Sequence, residues 1–145
     1  MASTYATKLK RVYLKQKHAV RIVFNKDKLT HSKPLFKNLN ALNVYQINIY
    51  QHLNFMHKFI NNQIPSIFSD FIKRPNHKYP TNFSQSSFYL KRYSLNSTKY
   101  SISIRGPKLW NDIINKEEKE IQSYSLFQKK IRSKLIKIEN ETDYF

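Results

Sequence analysis

The sequence predicts a mainly α-helical fold: a small domain of about four to five helices, with a short extended or hairpin-like segment before Gly106. Apolar residues recur at helical spacing in several long stretches, which is typical of amphipathic helices. The chain has 145 residues, of which 40% are apolar, so it is long and apolar enough to build a core. Strand-like composition is confined to residues 73–105, which are rich in Ser, Asn and Tyr, and this stretch fits either short strands or an ordered loop.

The first helix is predicted from Thr7 to Phe24. On a helical wheel its apolar side chains and Gln16 share an arc of about 140°. That arc consists of Leu9, Val12, Tyr13, Gln16, Ala19, Val20, Val23 and Phe24. The opposite side is basic and consists of Lys8, Lys10, Arg11, Lys15, Lys17, His18 and Arg21, interrupted by Leu14 and Ile22.

Two further helices are predicted before residue 62. The second runs from Pro34, which suits a first helical turn, to about Leu42, and Asn43 breaks it. The third runs from Val44 to Asn61. Its apolar side consists of Tyr45, Ile49, Leu53, Met56, Phe59 and Ile60. A short helix is expected from Pro65 to Ile72.

The stretch "SIRGPKLWNDI" contains the only glycine and the only tryptophan of the chain. We expect Gly106 to turn the chain from the extended segment into a helix that begins at Pro107. Trp110 then lies in the core. Its predicted core neighbours at helical spacing are Leu109, Ile113 and Ile114.

A last helix is predicted from Ser125, a good N-cap residue. Its apolar residues are Leu126, Phe127, Ile131, Leu135 and Ile138. Residues 1–138 are expected to form a single basic helical domain, and residues 139–145 a frayed tail.

The formal net charge is +17, and its distribution is uneven. Up to Trp110 there are 19 Lys and Arg against Asp27 and Asp70, whereas the remaining residues carry seven basic and seven acidic side chains. Such a field favours polyanions, nucleic acid first and anionic membrane second. We therefore expect RNA or DNA as the partner, bound non-specifically along the phosphate backbone, and no membrane.

Two groups of residues are candidate nucleic-acid contacts. On the first helix, we expect the cations to contact the phosphate backbone of a nucleic acid. The alternative is that they form an ordinary solvated helix face. They are Lys8, Lys10, Arg11, Lys15, Lys17 and Arg21. Residues 73–105 contain no acidic residue, and their cations alternate with aromatic residues. This combination suits single-stranded nucleic acid, whose bases stack on exposed rings. The alternative is that the aromatic residues pack inward, which we favour for Phe83 and Phe88. The candidates there are Lys91, Arg92, Tyr93 and Lys99.

No catalytic or metal site is expected. The chain has no cysteine, and its nine acidic residues do not form the carboxylate cluster that a two-metal site needs. The group from Glu117 to Glu120 is expected to be a solvated linker. The five histidines are expected at the surface or half-buried rather than as zinc ligands. They are His18, His31, His52, His57 and His77. We therefore expect no enzyme activity, cofactor or small-molecule substrate. The N-terminus lacks an apolar signal core, so an intracellular location is expected, either cytoplasmic or nuclear.

The order of four motifs resembles a known family. They are "STYATKLKRVYLKQKHAVRIVF", "PLFKNLNALNVYQINIYQHLNFMHKF", "RGPKLWNDI" and "SLFQKKIRSKL". From Ser3 to about Leu135 this arrangement resembles the C-terminal region, beyond the polymerase thumb, of non-LTR retrotransposon reverse transcriptases of the LINE or Jockey-like type.

The resemblance implies a non-enzymatic, nucleic-acid-contacting fragment of an RNA-directed DNA polymerase that lacks the polymerase and endonuclease domains. The Asp-Asp pair of the family's metal-binding turn does not occur in this sequence. No catalytic residue is therefore carried over. An alternative is an inert orphan fragment, or a structural region that packs against the polymerase thumb.

Overall fold

The mainly helical prediction is confirmed by a computed structural model, which describes residues 6–68, 70, 72, 87–90, 92 and 98–138. This part of the chain contains six α-helices, two 3₁₀ turns and no strand. The helices are α1 (Ala6–Val23), α2 (Ser32–Asn38), α3 (Val44–Ile60), α4 (Ile102–Ile113), α5 (Lys116–Lys119) and α6 (Tyr124–Lys137). The 3₁₀ turns are Ser66–Phe68 and Thr98–Tyr100.

The contacts divide the chain into two compact units. Of the described residues, 6–50 and 130–138 form one, which we call the N-terminal unit, and those between positions 51 and 129 form the other, the central unit. That residues 1–138 behave as one domain stays a prediction. The predicted frayed tail, 139–145, lies outside the described residues.

Three helices end at an asparagine in the left-handed conformation. Asn25, Asn40 and Asn62 have φ values of 50°, 52° and 54°. In each case the N–H of the next residue donates to the carbonyl five residues earlier, which satisfies an otherwise unpaired helix-end carbonyl. These bonds are Lys26 to Arg21 (2.9 Å), Ala41 to Phe36 (3.1 Å) and Gln63 to Lys58 (2.9 Å).

The left-handed residue Asn40 sets the end of α2. The helix was expected to reach about Leu42, but it stops at Asn38 because Asn40 turns the chain. It also begins at Ser32, so that Pro34 is its third residue rather than its first. Pro34 is tolerated there because the first turn of a helix has no intrahelical partner for its N–H groups.

The start of α3 is capped as Asn43 suggests. The Oδ1 of Asn43 accepts hydrogen bonds from the N–H groups of Tyr45 (2.9 Å) and Gln46 (3.0 Å). In return, Gln46 Oε1 accepts the N–H of Asn43 at 3.0 Å, which completes a capping box. Asn43 therefore begins α3, whereas the end of α2 that was assigned to it lies earlier, at Asn38.

The last helix begins earlier than predicted. It starts at Tyr124, so Ser125 lies inside α6 and is not its N-cap. The N–H of Phe127 donates to the carbonyl of Ser123 at 3.0 Å, which makes Ser123 the residue at the helix start. The two serines are two residues apart, and local preference alone does not distinguish them.

The core of the N-terminal unit forms between α1 and α2. Val20 packs with Leu35 and Phe36, and Tyr13, Phe24 and Ala41 lie against this cluster. Gln16 belongs to the same stripe, since its amide donates to the carbonyl of Leu42 (3.1 Å) and accepts from Val44 N–H (2.8 Å).

Only part of the predicted apolar arc of α1 is buried. Val12 and Val23 are 54% and 67% exposed, and Ala19 is exposed as well. The predicted arc of about 140° was therefore wider than the buried side of α1.

The core of the central unit is aromatic and includes Trp110, which is 1% exposed. Its ring stacks on Phe127 at 5.7 Å between centroids and meets Phe88 edge-on at 6.3 Å. Leu109, Ile113 and Ile114 are also buried. The prediction that this face of the "GPKLWNDI" helix packs in a core is confirmed.

Gly106 does not turn the chain, and this prediction is wrong. Helix α4 begins at Ile102, so Gly106 is its fifth residue, and its φ is not positive. A Cβ at this position would lie 2.8 Å from the sulfur of Met56 and 3.3 Å from its Cγ. The absence of a side chain at Gly106 thus lets Met56, which is fully buried, approach the helix backbone closely.

Two related expectations also change. Pro107 lies inside α4 rather than at its start. Residues 99–105, for which short strands and an ordered loop were both expected possibilities, belong to the 3₁₀ turn Thr98–Tyr100 and to the first turn of α4. The strand-like composition of "YSISI" did not decide its conformation, since residues 102–104 belong to the same helix as Arg105 and Gly106, which are both buried.

We predict that Trp110→Ala lowers the free energy of unfolding by about 3–5 kcal/mol, because a large buried ring leaves a cavity. Urea unfolding followed by circular dichroism measures this. Leu126→Ala is the matched control in the same unit, since Leu126 is exposed and its removal should cost at most about 0.5 kcal/mol. Equal effects of the two changes would contradict the core assignment.

We predict that Gly106→Ala destabilises the protein although alanine is the better helix former. Helix propensity favours alanine by about 1 kcal/mol, whereas overpacking against Met56 costs about 1–3 kcal/mol. Combining it with Met56→Ala should reverse the sign, so that Gly106→Ala becomes stabilising in that background. If Gly106→Ala alone raised the free energy of unfolding, the Met56 side chain would have moved aside without destabilising the fold.

Candidate nucleic-acid interface

The solvent side of α1 presents a row of cations. Lys8, Lys10, Arg11 and Lys15 are all exposed, and α1 contains no acidic residue. The first acidic residue of the chain is Asp27, beyond the helix end. At 100° per residue, Lys8, Arg11 and Lys15 fall within an arc of about 60°. These three predicted contact residues therefore share one side of α1, whereas Lys10, also exposed, lies about 100° or more away from them around the helix.

Lys17 and Arg21, also predicted contacts, are partly buried on the flank of α1. The Nζ of Lys17 lies 4.9 Å from the centroid of the Tyr13 ring, a cation–π distance. The Nε of Arg21 donates to the carbonyl of Thr30 at 2.8 Å and so holds the turn that follows α1. Both side chains therefore have structural contacts in addition to any contact with phosphate.

The N-terminal unit carries most of the charge imbalance. Its described residues, 6–50 and 130–138, include fourteen Lys or Arg and one acidic residue, Asp27. Four of these cations come from α6, in a part of the sequence whose overall charge is balanced. They are Lys130, Arg132, Lys134 and Lys137. Arg132 also donates to the carbonyl of Asn40 at 3.3 Å. Counting charges along the sequence missed these four cations, because the residues that they join in the N-terminal unit are distant in the chain.

The described candidates from the middle of the chain, Arg92 and Lys99, belong to the central unit. Arg92 is exposed, and Lys99 is partly buried with its Nζ 5.8 Å from the Tyr100 ring centroid. Lys91 and Tyr93 lie outside the described residues, as does Phe83. The structure therefore describes only two of the four predicted contacts in this group.

Phe88 packs inward, as we favoured. It is 5% exposed and lies against Trp110, and the backbone on both sides of it is pinned by Asn111. Asn111 Oδ1 accepts the N–H of Phe88 at 3.0 Å, and its Nδ2 donates to the Phe88 carbonyl at 2.9 Å. Tyr89, the next residue, is exposed.

Two histidines contradict the expectation of surface or half-buried positions. His52 and His57 are 0% and 1% exposed. His57 Nε2 donates to the carbonyl of Ile121 at 2.7 Å, and its ring stacks on Phe127 at 4.2 Å. They are buried because α3 is covered on several sides, which its polar residues did not suggest. Within the described ranges, no three His, Cys, Asp or Glu side chains are grouped to hold a metal.

The "NKEEKE" segment is not simply a solvated linker. It forms α5, and the carboxylate of Glu118 accepts the N–H of Asn115 at 2.9 Å while the side chain is buried. Asn115 followed three residues later by Glu118 is the capping-box pattern, which could have predicted this helix. Glu117 and Glu120 are exposed, as expected for the linker.

Arg105 is a buried cation that sequence reasoning did not single out. Burial lowers its pKa to about 10, an effect that Tyr100 partly opposes, so the guanidinium stays charged at neutral pH. Its Cζ lies 5.9 Å from the centroid of the Tyr100 ring. Because it is buried within the central unit, this charge is not part of an exposed interface.

The chain matches no protein-family model, no curated protein and no solved structure. None of the helices in the described part of the chain has both the length and the apolar character that a membrane span needs. Interpretation of the basic surface therefore depends on its geometry and charge.

Proposed function

We propose that the chain binds RNA or DNA non-specifically through the exposed cations of α1. The observation that carries this proposal is the exposed row of Lys8, Arg11 and Lys15, with Lys10 also exposed, on a helix with no acidic residue. The row belongs to a unit whose described residues hold fourteen cations and one acid. A surface of this kind concentrates polyanions, and neutralised phosphates release their counterions on binding.

The spacing of the cations suits a phosphate backbone. Lys8, Arg11 and Lys15 span seven residues, or about 10 Å at 1.5 Å per residue. One nucleic-acid strand carries a charge about every 3.4 Å of helix axis, so such a row covers about three phosphates. Lysine and arginine contacts with phosphate carry no sequence information, so the same surface serves RNA and DNA of any sequence.

For the origin of the chain, we propose the C-terminal region of a retrotransposon reverse transcriptase, without polymerase activity of its own. The four motifs quoted above support this proposal, together with the absence of an Asp-Asp pair in the sequence. A nucleic-acid-contacting function fits such an origin, because a reverse transcriptase handles both RNA and DNA.

A second candidate is a region that packs against the polymerase thumb. The observation in its favour is that α1 exposes several aliphatic side chains besides its cations. They include Val12, Leu14, Ile22 and Val23. Exposed apolar residues interspersed with cations also suit a protein surface with acidic residues around an apolar centre.

We predict that nucleic-acid binding is steeply salt-dependent. If about six phosphates are neutralised, affinity falls on the order of a thousandfold between 50 and 200 mM salt. Fluorescence anisotropy with several oligonucleotides of unrelated sequence measures both the slope and the lack of specificity. No binding at 50 mM salt, or binding that salt does not weaken, would rule out the proposed function.

We predict that the triple substitution Lys8→Glu, Arg11→Glu, Lys15→Glu weakens binding without unfolding the protein. The slope of log affinity against log salt should fall by about three, since each lost phosphate contact contributes about 0.9. Helical content and the urea midpoint should stay unchanged, because all three side chains are exposed.

The matched control makes the same change of charge elsewhere: Lys108→Glu, Lys116→Glu, Lys129→Glu, three exposed residues of the central unit. It should retain most of the affinity. Equal weakening by both triple variants would show that only net charge matters and that α1 is not the interface.

A further inference from the structure

The N-terminal unit contains a groove of about 300 Å³, which we call the aromatic groove. Tyr13 from α1 and Phe36 from α2 line it, with aliphatic walls from Pro34, Ala41, Ile136 and Ile138. Lys33 and Lys37 line it as well; both are exposed and stand one helical turn apart on α2. Its size is at the lower end of the range for small-ligand pockets, and its position was not predicted from the sequence.

The rings of the groove are held in place. Tyr13 and Phe36 lie 6.5 Å apart with an angle of 21° between their planes, and Tyr45 meets Tyr13 edge-on at 5.1 Å. Phe36 also belongs to the buried core of the unit. An aromatic surface fixed in this way needs little reorganisation when a flat ligand packs against it.

The amide oxygens that line the groove are committed to the fold. Asn43 Oδ1 accepts two backbone N–H groups, and Gln46 Oε1 accepts another. Gln46 Nε2 donates to the carbonyl of Leu135 at 2.6 Å. A ligand in this groove is therefore held chiefly by apolar contact and by the two lysines, rather than by amide groups that distinguish one base from another.

We propose that the aromatic groove takes an unpaired base of a single-stranded nucleic acid, with Lys33 and Lys37 on the adjoining phosphates. This inference rests on the proposed function and names its substrate class. A nucleobase is flat and largely apolar on its faces, and its phosphates carry the charge that complements the lysines. A base within a duplex is stacked and paired, so it enters such a groove only at the cost of unpairing.

The first experiment locates the contact directly. Oligo-dT carrying 5-iododeoxyuridine is crosslinked to the full chain by ultraviolet light, and the modified peptide is identified by mass spectrometry. We expect crosslinks at Tyr13 or Phe36. Crosslinks confined to aromatic residues outside the groove, such as Tyr89 or Tyr100, would overturn the proposal.

The second experiment compares affinities for single-stranded oligo-dT and for a duplex of the same length at equal salt. Ala41→Phe should fill the groove and weaken single-strand binding about tenfold, within the range for loss of one base–aromatic contact, while duplex binding changes little. The control, Lys10→Gln on the exposed side of α1, should weaken both by a similar factor. Circular dichroism checks that both variants are folded.

The outcomes separate this inference from the proposed function. If the chain binds neither oligo-dT nor the duplex at low salt, both the proposed function and the groove proposal are wrong. Binding to both with a single-strand preference that Ala41→Phe leaves unchanged overturns only the groove. An effect of Ala41→Phe on binding of an acidic tyrosine-containing peptide, with none on oligo-dT, would assign the groove to a protein segment instead.

Discussion

The close approach of Met56 to the backbone of Gly106 determines how the central unit packs. Without a side chain at position 106, the sulfur of Met56 lies where a Cβ would clash at 2.8 Å. Trp110, one helical turn further along α4, is then buried against Phe127 and Phe88. Phe127 in turn stacks on His57 of α3, so the aromatic core and the single glycine belong to one packing arrangement.

Using its only glycine for a close contact has consequences elsewhere in the chain. Helices commonly end with a glycine in the left-handed conformation, and this sequence has none to spare. Asparagine takes that position after α1, α2 and α3, because its short polar side chain tolerates the left-handed region better than most residues. The asparagine-rich composition is therefore part of how the fold terminates its helices.

The charges of the N-terminal unit link its stability to its proposed ligand. Fourteen cations against one acid in its described residues repel one another, which costs folding free energy. A bound polyanion removes that repulsion and stabilises the folded unit by mass action. The exposed row on α1 and the lysines of the aromatic groove belong to the same unit.

Local pattern alone determined a large part of this protein. The extents of α1 and α3 and the burial of Trp110 follow from helical periodicity, which acts over a few residues. The row of cations on α1 also follows, because residues three and four apart share a helix face. The start of α6 was misplaced by one residue because Ser123 and Ser125 compete as caps, and the start of α4 was misplaced by five.

Tertiary structure decided what depends on residues distant in the chain. The role of Gly106 required Met56, fifty positions earlier, and the burial of His57 required Ile121 and Phe127. The aromatic groove combines residues from positions 13 to 138, and the cations of α6 join the N-terminal unit only in the folded chain. Periodicity identifies which side of a helix is apolar, but not which neighbour covers it, because that neighbour is chosen by the packing of the whole unit.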